Sequence, residues 1–173
     1  MSAIAPVAAE NDAADLAWDS RGNPEVLTFA VGGETFAVEA MLVREIVDPL
    51  PETRVPGALP LVDALVNVRG RIVPLVDLRA AFAMPPSAVT ADRRIVVVEL
   101  TLGVAASLLG LRADRAHEVV TLAEASSEDP PALGMRWPQA HVRRLVRWRD
   151  DVIVLPDLAA ILAPALGVAV ATD

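Results

Sequence analysis

The side chains that most often carry chemistry are scarce in this sequence. There is no cysteine, and His117 and His141 are the only histidines. Thiol catalysis, disulfides and thiolate metal sites are thereby excluded. Neither histidine lies at a metal-ligand spacing or beside a serine in a nucleophile-elbow sequence. Asp114 and Glu118 are spaced as a carboxylate pair, but a glycoside-cleaving pair needs a cleft lined by polar and usually aromatic groups. Aromatic residues make up only 3% of the chain. The glycines of Gly32-Gly33 and Arg69-Gly70 form no phosphate loop, because neither GxGxxG nor GxxxxGK occurs. The expectation is a non-catalytic protein that uses no cofactor and no metal.

Binding chemistry is what remains. All fifteen basic residues are arginine, and Arg143, Arg144, Arg147 and Arg149 fall within one short run. Strand alternation places Arg144, Val146 and Trp148 on one face and Leu145, Arg147 and Arg149 on the other. Arg beside Trp is an interface-type composition, which makes Arg144, Val146 and Trp148 a candidate partner patch; ordinary solvated surface is the plainer reading. The formal net charge of −8 repels a phosphate backbone, so no nucleic-acid partner is expected. The N-terminus lacks the basic start and apolar run of a secretory signal, and no stretch is long and apolar enough to insert in a membrane. A cytoplasmic protein is expected.

The elements that must position these residues follow from pattern. A length of 173 residues suits one domain or two small units sharing a core, and with 54% hydrophobic and few aromatic residues that core should be aliphatic. Residues 1–24 are Ala-rich and acidic, with Trp18 as the one anomaly, and are expected to form a flexible tail. VLTFAV, Gly32-Gly33 and ETFAV predict a hairpin whose turn needs positive φ. In AMLVREIV, Met41, Leu42, Glu45 and Ile46 fall at helical spacings, which predicts a short helix; the Pro-rich DPLPETRVPGALP should be a loop.

Two blocks superpose without a gap at an offset of 80: LVDALVNVRGRIVPLVDLRAAF from Leu61 and HVRRLVRWRDDVIVLPDLAAIL from His141. Val62/Val142, Leu65/Leu145, Val66/Val146, Arg69/Arg149, Leu75/Leu155, Asp77/Asp157, Leu78/Leu158 and Ala80/Ala160 are identical. Each reads as strand, tight turn, apolar strand and an Asp that caps a short helix. The acidic stretch Glu124 to Gly134 reads as a loop, and PPSAVTAD from Pro85 as the junction between halves. The fold class expected is mainly β, with short helices and two small SH3-like five-stranded barrels on a shared hydrophobic seam. The core domain would span 25–163, with one barrel at about 25–84, the other at about 91–163, terminal strands open to exchange, and 164–173 a C-terminal tail.

Asn67-Val68-Arg69-Gly70 followed by Pro74-Leu75-Val76-Asp77-Leu78-Arg79 resembles the most recognisable segment of the CheW family, the adaptors of bacterial chemosensory arrays. The likeness extends to EVLTFAVGGETFAVEAMLVREI, LRADRAHEVVTL and VIVLPDLAAIL, about residues 25 to 163. It implies a cytoplasmic scaffold recruited to membrane-associated arrays. Its partners would be the tip of a methyl-accepting chemoreceptor, the regulatory domain of a CheA-type histidine kinase and other CheW-like domains. The family pattern places receptor contacts at Val43, Glu45, Ala64, Asn67, Arg69 and Gly70, with the Glu on the short helix, and Arg69 is expected to hold Glu45 through a forked bond. Ala64 stands where the family usually has Gly, and Arg144 and Val146 occupy the corresponding small positions of the second block. If those positions require positive φ, each substitution costs about 1 kcal/mol. A divergent adaptor of the same fold, serving pilus motility, polar localisation or development, is the alternative; a small-molecule-binding β-barrel is a third.

Overall fold

The structure, a computed structural model, describes residues 24–86, 89–122, 127–128 and 137–165. The expected N-terminal tail with Trp18, most of the acidic loop and most of the C-terminal tail lie outside the described residues. The chain is mainly β. Its strands are β1 (Glu25–Val31), β2 (Glu34–Glu39), β3 (Val43–Val47), β4 (Thr53–Arg54), β5 (Ala64–Val68), β6 (Arg71–Val76), β7 (Arg94–Leu102), β8 (Ala105–Ala113), β9 (Arg115–Thr121), β10 (Ser127–Glu128), β11 (Val142–Trp148) and β12 (Asp151–Pro156). The helices α1 (Leu78–Ala81) and α2 (Leu158–Leu162) are short, and 3-10 turns occupy Ala40–Leu42, Pro60–Val62 and Gln139–His141.

Two six-stranded sheets form. The first runs β10-β11-β12-β2-β1-β9 and the second β3-β7-β8-β6-β5-β4. With the two-residue β4 and β10 set aside, five full-length strands carry each unit. Sheet order departs from chain order: the early hairpin β1–β2 joins β9 to β12, whereas β7–β8 joins β3 to β6. A parallel seam closes each exchange, Ile153 and Val154 against Thr35 and Phe36 in the first sheet and Leu75 and Val76 against Gly110 and Leu111 in the second. Thr35 Oγ1 donates to Asp151 Oδ2 at 3.0 Å and fastens the first of these.

The repeat is structural as well as sequential. β6 and β12 match at the offset of 80, and Asp77 Oδ1 accepts the Arg79 N–H at 3.0 Å while Asp157 Oδ1 accepts the Ala160 N–H at 3.0 Å, so each Asp caps its helix. Even the backbone bonds correspond, Asp77 N–H to Leu61 C=O and Asp157 N–H to His141 C=O, both 2.9 Å. The predicted hairpin turn is also present: Gly32 and Gly33 have φ of 60° and 84°, the left-handed pair that matches strand twist. At Gly32 a Cβ would come within 2.6 Å of Met84 Sδ.

Three apolar clusters fill the interior. Ala64, Val66, Val68, Val73, Leu75, Ile95 and Val97 fill the second sheet's own core, and Val26, Ala37, Val120, Leu122, Val146, Ile153 and Leu155 the first's. The largest lies between the sheets and draws Leu27, Phe29 and Phe36 from one and Val96, Val98, Leu109 and Leu111 from the other. The core is aliphatic, as composition suggests, except at this seam. All three Phe are buried there, Phe29 stacked on Phe36, Phe36 edge-on to Phe82 and Phe82 edge-on to Trp137.

The helix expected around Met41 to Ile46 is not formed. Ala40–Leu42 makes one 3-10 turn and Val43–Val47 is strand β3, paired antiparallel with β7. Val43, Ile46 and Val47 are β-branched and suit a pleated surface. The available edge of β7 outweighs an eight-residue amphipathic signal that could not sustain an isolated helix. A bulge between Val43 and Glu45 disturbs the register, and Arg44 beside it pairs with Glu99 at 2.8 Å.

A charged clasp joins the two units. Asp114 lies between β8 and β9, where the chain passes from one sheet to the other. Its carboxylate accepts from the buried Arg79 of α1 and, at 2.8 Å, from the Gly32 N–H of the β1–β2 turn. Burial pushes the Asp114 carboxyl up, but bonds from Arg79 and Gly32, with the charges of Arg79 and Arg93, more than offset this and hold it below its ordinary 3.8. A carboxylate stabilised in this way contributes fully above that ordinary value and loses its contribution as pH falls through the lower folded value. Asp114→Asn should therefore destabilise the fold at neutral pH by about 1 kcal/mol, since solvent screens part of a pair whose carboxylate is only partly buried. The gap to wild type should narrow below about pH 3.8, as chemical denaturation across a pH series would measure.

Candidate partner-binding site

The site is built on the β5–β6 hairpin. Val68 pairs with Arg71, leaving Arg69 and Gly70 as a two-residue turn with φ of 52° and 85°. Two successive positive φ values define the tight turn type that follows strand twist. Glycine takes its position freely, whereas Arg69 is held in a conformation that costs a side chain about 1 kcal/mol or more. Asn67, two residues before the turn, accepts the Gly70 N–H on its Oδ1 at 2.7 Å.

Arg69 Nε donates to both carboxylate oxygens of Glu45, at 3.0 and 3.2 Å. The pair forms as the sequence suggested, but through one shared N–H rather than a two-pronged fork. Glu45 stands on β3 and not on a helix. Since β3 is one edge of the second sheet and the β5–β6 hairpin lies towards the other, their meeting requires the sheet to curl on itself. The Arg69 side chain is 80% exposed and that of Glu45 26%, so the carboxylate is the anchored partner and the guanidinium the presented one. Ile46, next to Glu45, is 43% exposed, and Ile72, the cross-strand neighbour of Asn67, is 64% exposed. Alternation puts Ile46 on the face of β3 opposite Glu45, so the hairpin's own exposed Ile72 and the anchored Arg69 are what give this end of the sheet the composition of a protein interface.

The other expected contacts are placed differently. Val43 is half-buried and packs on the seam cluster, and Ala64 is buried in the second sheet's core. Neither Ala64, Arg144 nor Val146 has positive φ, so the absence of glycine at these positions carries no backbone strain. Val146 is fully buried with Trp148 packed against the same cluster, so the face holding the proposed Arg144–Val146–Trp148 patch serves the first sheet's core. Arg143 is tied at 2.9 Å to Glu39, with both side chains largely buried. The Arg149 guanidinium lies 5.3 Å from the centre of the Trp148 ring. Asp114 and Glu118 form no acid pair, because Asp114 is engaged by Arg79. His141 spends its Nδ1 on the Ala81 carbonyl at 2.9 Å. Among the described residues no group of three or more His, Asp or Glu could hold a metal.

Sequence reasoning missed a second charged knot. Arg112 of β8, only 12% exposed, contacts Glu52, Asp63 at 3.7 Å and Asp77 at 3.5 Å. It fixes the Pro-rich segment before β5 against the sheet, and with it the base of the hairpin. An arginine in the otherwise apolar run LLGLRA was the signal available.

Two curled sheets on a common apolar seam, carrying an ion-paired turn at the surface, define a double-β scaffold. The CheW-like domain model matches residues 25–165, and the chain belongs to that family. A probable chemotaxis protein CheW from Rhizobium etli is 26% identical over 144 residues, covering 83% of this chain and 90% of the relative. The chemotaxis protein CheW of Bacillus subtilis is 25% identical over 138 residues, covering 80% and 86%. The crystal structure of the scaffolding protein TtCheW from Thermoanaerobacter tengcongensis superposes with a TM-score of 0.71 at 26% identity, over 80% of this chain and 92% of that one.

Because the Glu45–Arg69 pair is largely in water, Glu45→Gln or Arg69→Ala should change unfolding free energy by less than about 1 kcal/mol, measured by urea denaturation. A loss several times larger would mean that the turn is part of the core's support.

Proposed function

We propose that this protein is a non-catalytic coupling adaptor that holds the cytoplasmic tip of a chemoreceptor and the regulatory domain of a CheA-type histidine kinase in one assembly. The observation that carries the reading is the presented Arg69, anchored by Glu45, on a hairpin that also exposes Ile72. An adaptor needs surfaces rather than reactive groups, and this surface offers charge and apolar area together. The names of the relatives in Rhizobium etli and Bacillus subtilis, and the scaffolding role stated for the Thermoanaerobacter protein, support the same reading. Among the described residues no helix is long and apolar enough to cross a membrane. In this reading, protein contacts recruit it to a receptor array.

The receptor site in this reading is the surface built by Glu45, Asn67, Arg69 and Gly70, with Val43 and Ala64 packed into the apolar clusters of its frame. Arg69→Glu sets two carboxylates against each other and removes the cation. It should abolish capture of a soluble chemoreceptor cytoplasmic fragment while circular dichroism and the melting temperature stay near wild type. Undiminished capture by a folded Arg69→Glu protein would overturn the assignment.

A further inference from the structure

The two copies of the repeat carry the same arginine at the same left-handed turn position, yet they use it differently. Arg149 has φ 57° and its guanidinium lies over the ring of the preceding residue, Trp148. Arg69 has φ 52° and reaches another strand, where Glu45 receives it. The sequences differ around the shared arginine: Asn67 and Gly70 in the first copy, Arg147 and Asp150 in the second. The backbones differ at the last of these, for Gly70 has φ 85° whereas Asp150 has no positive φ. In a turn with two left-handed residues the second N–H points away from the strand ladder and is left to water or to a nearby side chain. Here Asn67 Oδ1 accepts it, at 2.7 Å.

We propose that Asn67 is a positioning residue. Its side-chain carbonyl locks the Arg69–Gly70 turn in its doubly left-handed form and thereby aims Arg69 at Glu45 and at the partner, without touching the partner itself. The inference rests on the reading of Arg69 as a receptor contact. It gives Asn67 and Gly70 roles that the second copy lacks, and it accounts for one turn presenting its arginine while the other folds it back. Freezing the turn before the partner arrives removes an ordering cost from binding.

The experiment uses the full chain and a soluble chemoreceptor cytoplasmic fragment as probe, with Arg69→Glu as reference. Asn67→Val removes the acceptor but suits a strand, so the hairpin keeps its fold. It should weaken binding by about tenfold, speed hydrogen exchange at the Gly70 amide and leave the melting temperature within a few degrees. Asn67→Asp keeps a carbonyl-type acceptor and should restore binding to within about threefold. Gly70→Ala is an independent arm: a Cβ there meets nothing within 4 Å, so it acts through the left-handed backbone alone, and it should weaken binding in the same direction. Wild-type affinity for Asn67→Val and Gly70→Ala, with binding lost in Arg69→Glu, would sink the positioning role and leave the receptor contact standing. Failure of Asn67→Asp to the same degree as Asn67→Val would make the side-chain amide a direct contact and overturn the proposal. Normal binding by Arg69→Glu removes the receptor reading and this inference with it.

Discussion

A carboxylate taken partly out of water needs its countercharge and its hydrogen bonds supplied by the protein, and Asp114 obtains them from two distant parts of the chain. Arg79 comes from α1 after the second sheet's β6, the Gly32 N–H from the hairpin turn of the first sheet, and Asp114 itself sits at the crossing between sheets. Removing any one partner leaves the others inside with unmet demands, so the arrangement is held as a unit. In the second copy of the repeat the position of Arg79 is Ala159. The clasp is thus an asymmetric addition to a symmetric plan, and it lies where the two units must be kept in one relation.

Each sheet has a small core of its own, but the largest cluster lies between them and contains every phenylalanine in the chain. A unit of this size alone would bury too little to be secure. Joining them at an apolar seam makes one body with two outward surfaces, as holding two partners at once requires. The proposed partner surface is correspondingly economical. One turn, one glutamate and a few exposed aliphatic side chains stand on a frame whose own needs are met by the seam and by the buried ion pairs of Arg79 and Arg112.

Much of this was legible in the residues. Gly32-Gly33 and Arg69-Gly70 announce turns because few other conformations suit them, and the repeat announced itself through identities at one offset. Asp77 and Asp157 were readable as caps because capping is local. What depends on distant partners was not. Met41, Leu42, Glu45 and Ile46 fit a helical face equally well until the edge of β7 claims Glu45 and Ile46 for a strand and leaves Met41 and Leu42 in a 3-10 turn. Strand alternation correctly grouped Val146 with Trp148, but a single strand does not say which of its faces is inside. Asp114 drew notice for its neighbour Glu118, four residues on, whereas its true partner is Arg79.

The exchanged hairpins also impose an order of events on synthesis. β1 and β2 leave the ribosome well before β12, so Thr35 and Phe36 have Ala30 and Phe29 on one side at once but find Ile153 and Val154 on the other only later. At ordinary elongation rates that wait is on the order of ten seconds. For its duration an apolar strand edge has no mate. The first sheet's parallel seam therefore cannot form until β12 has been made.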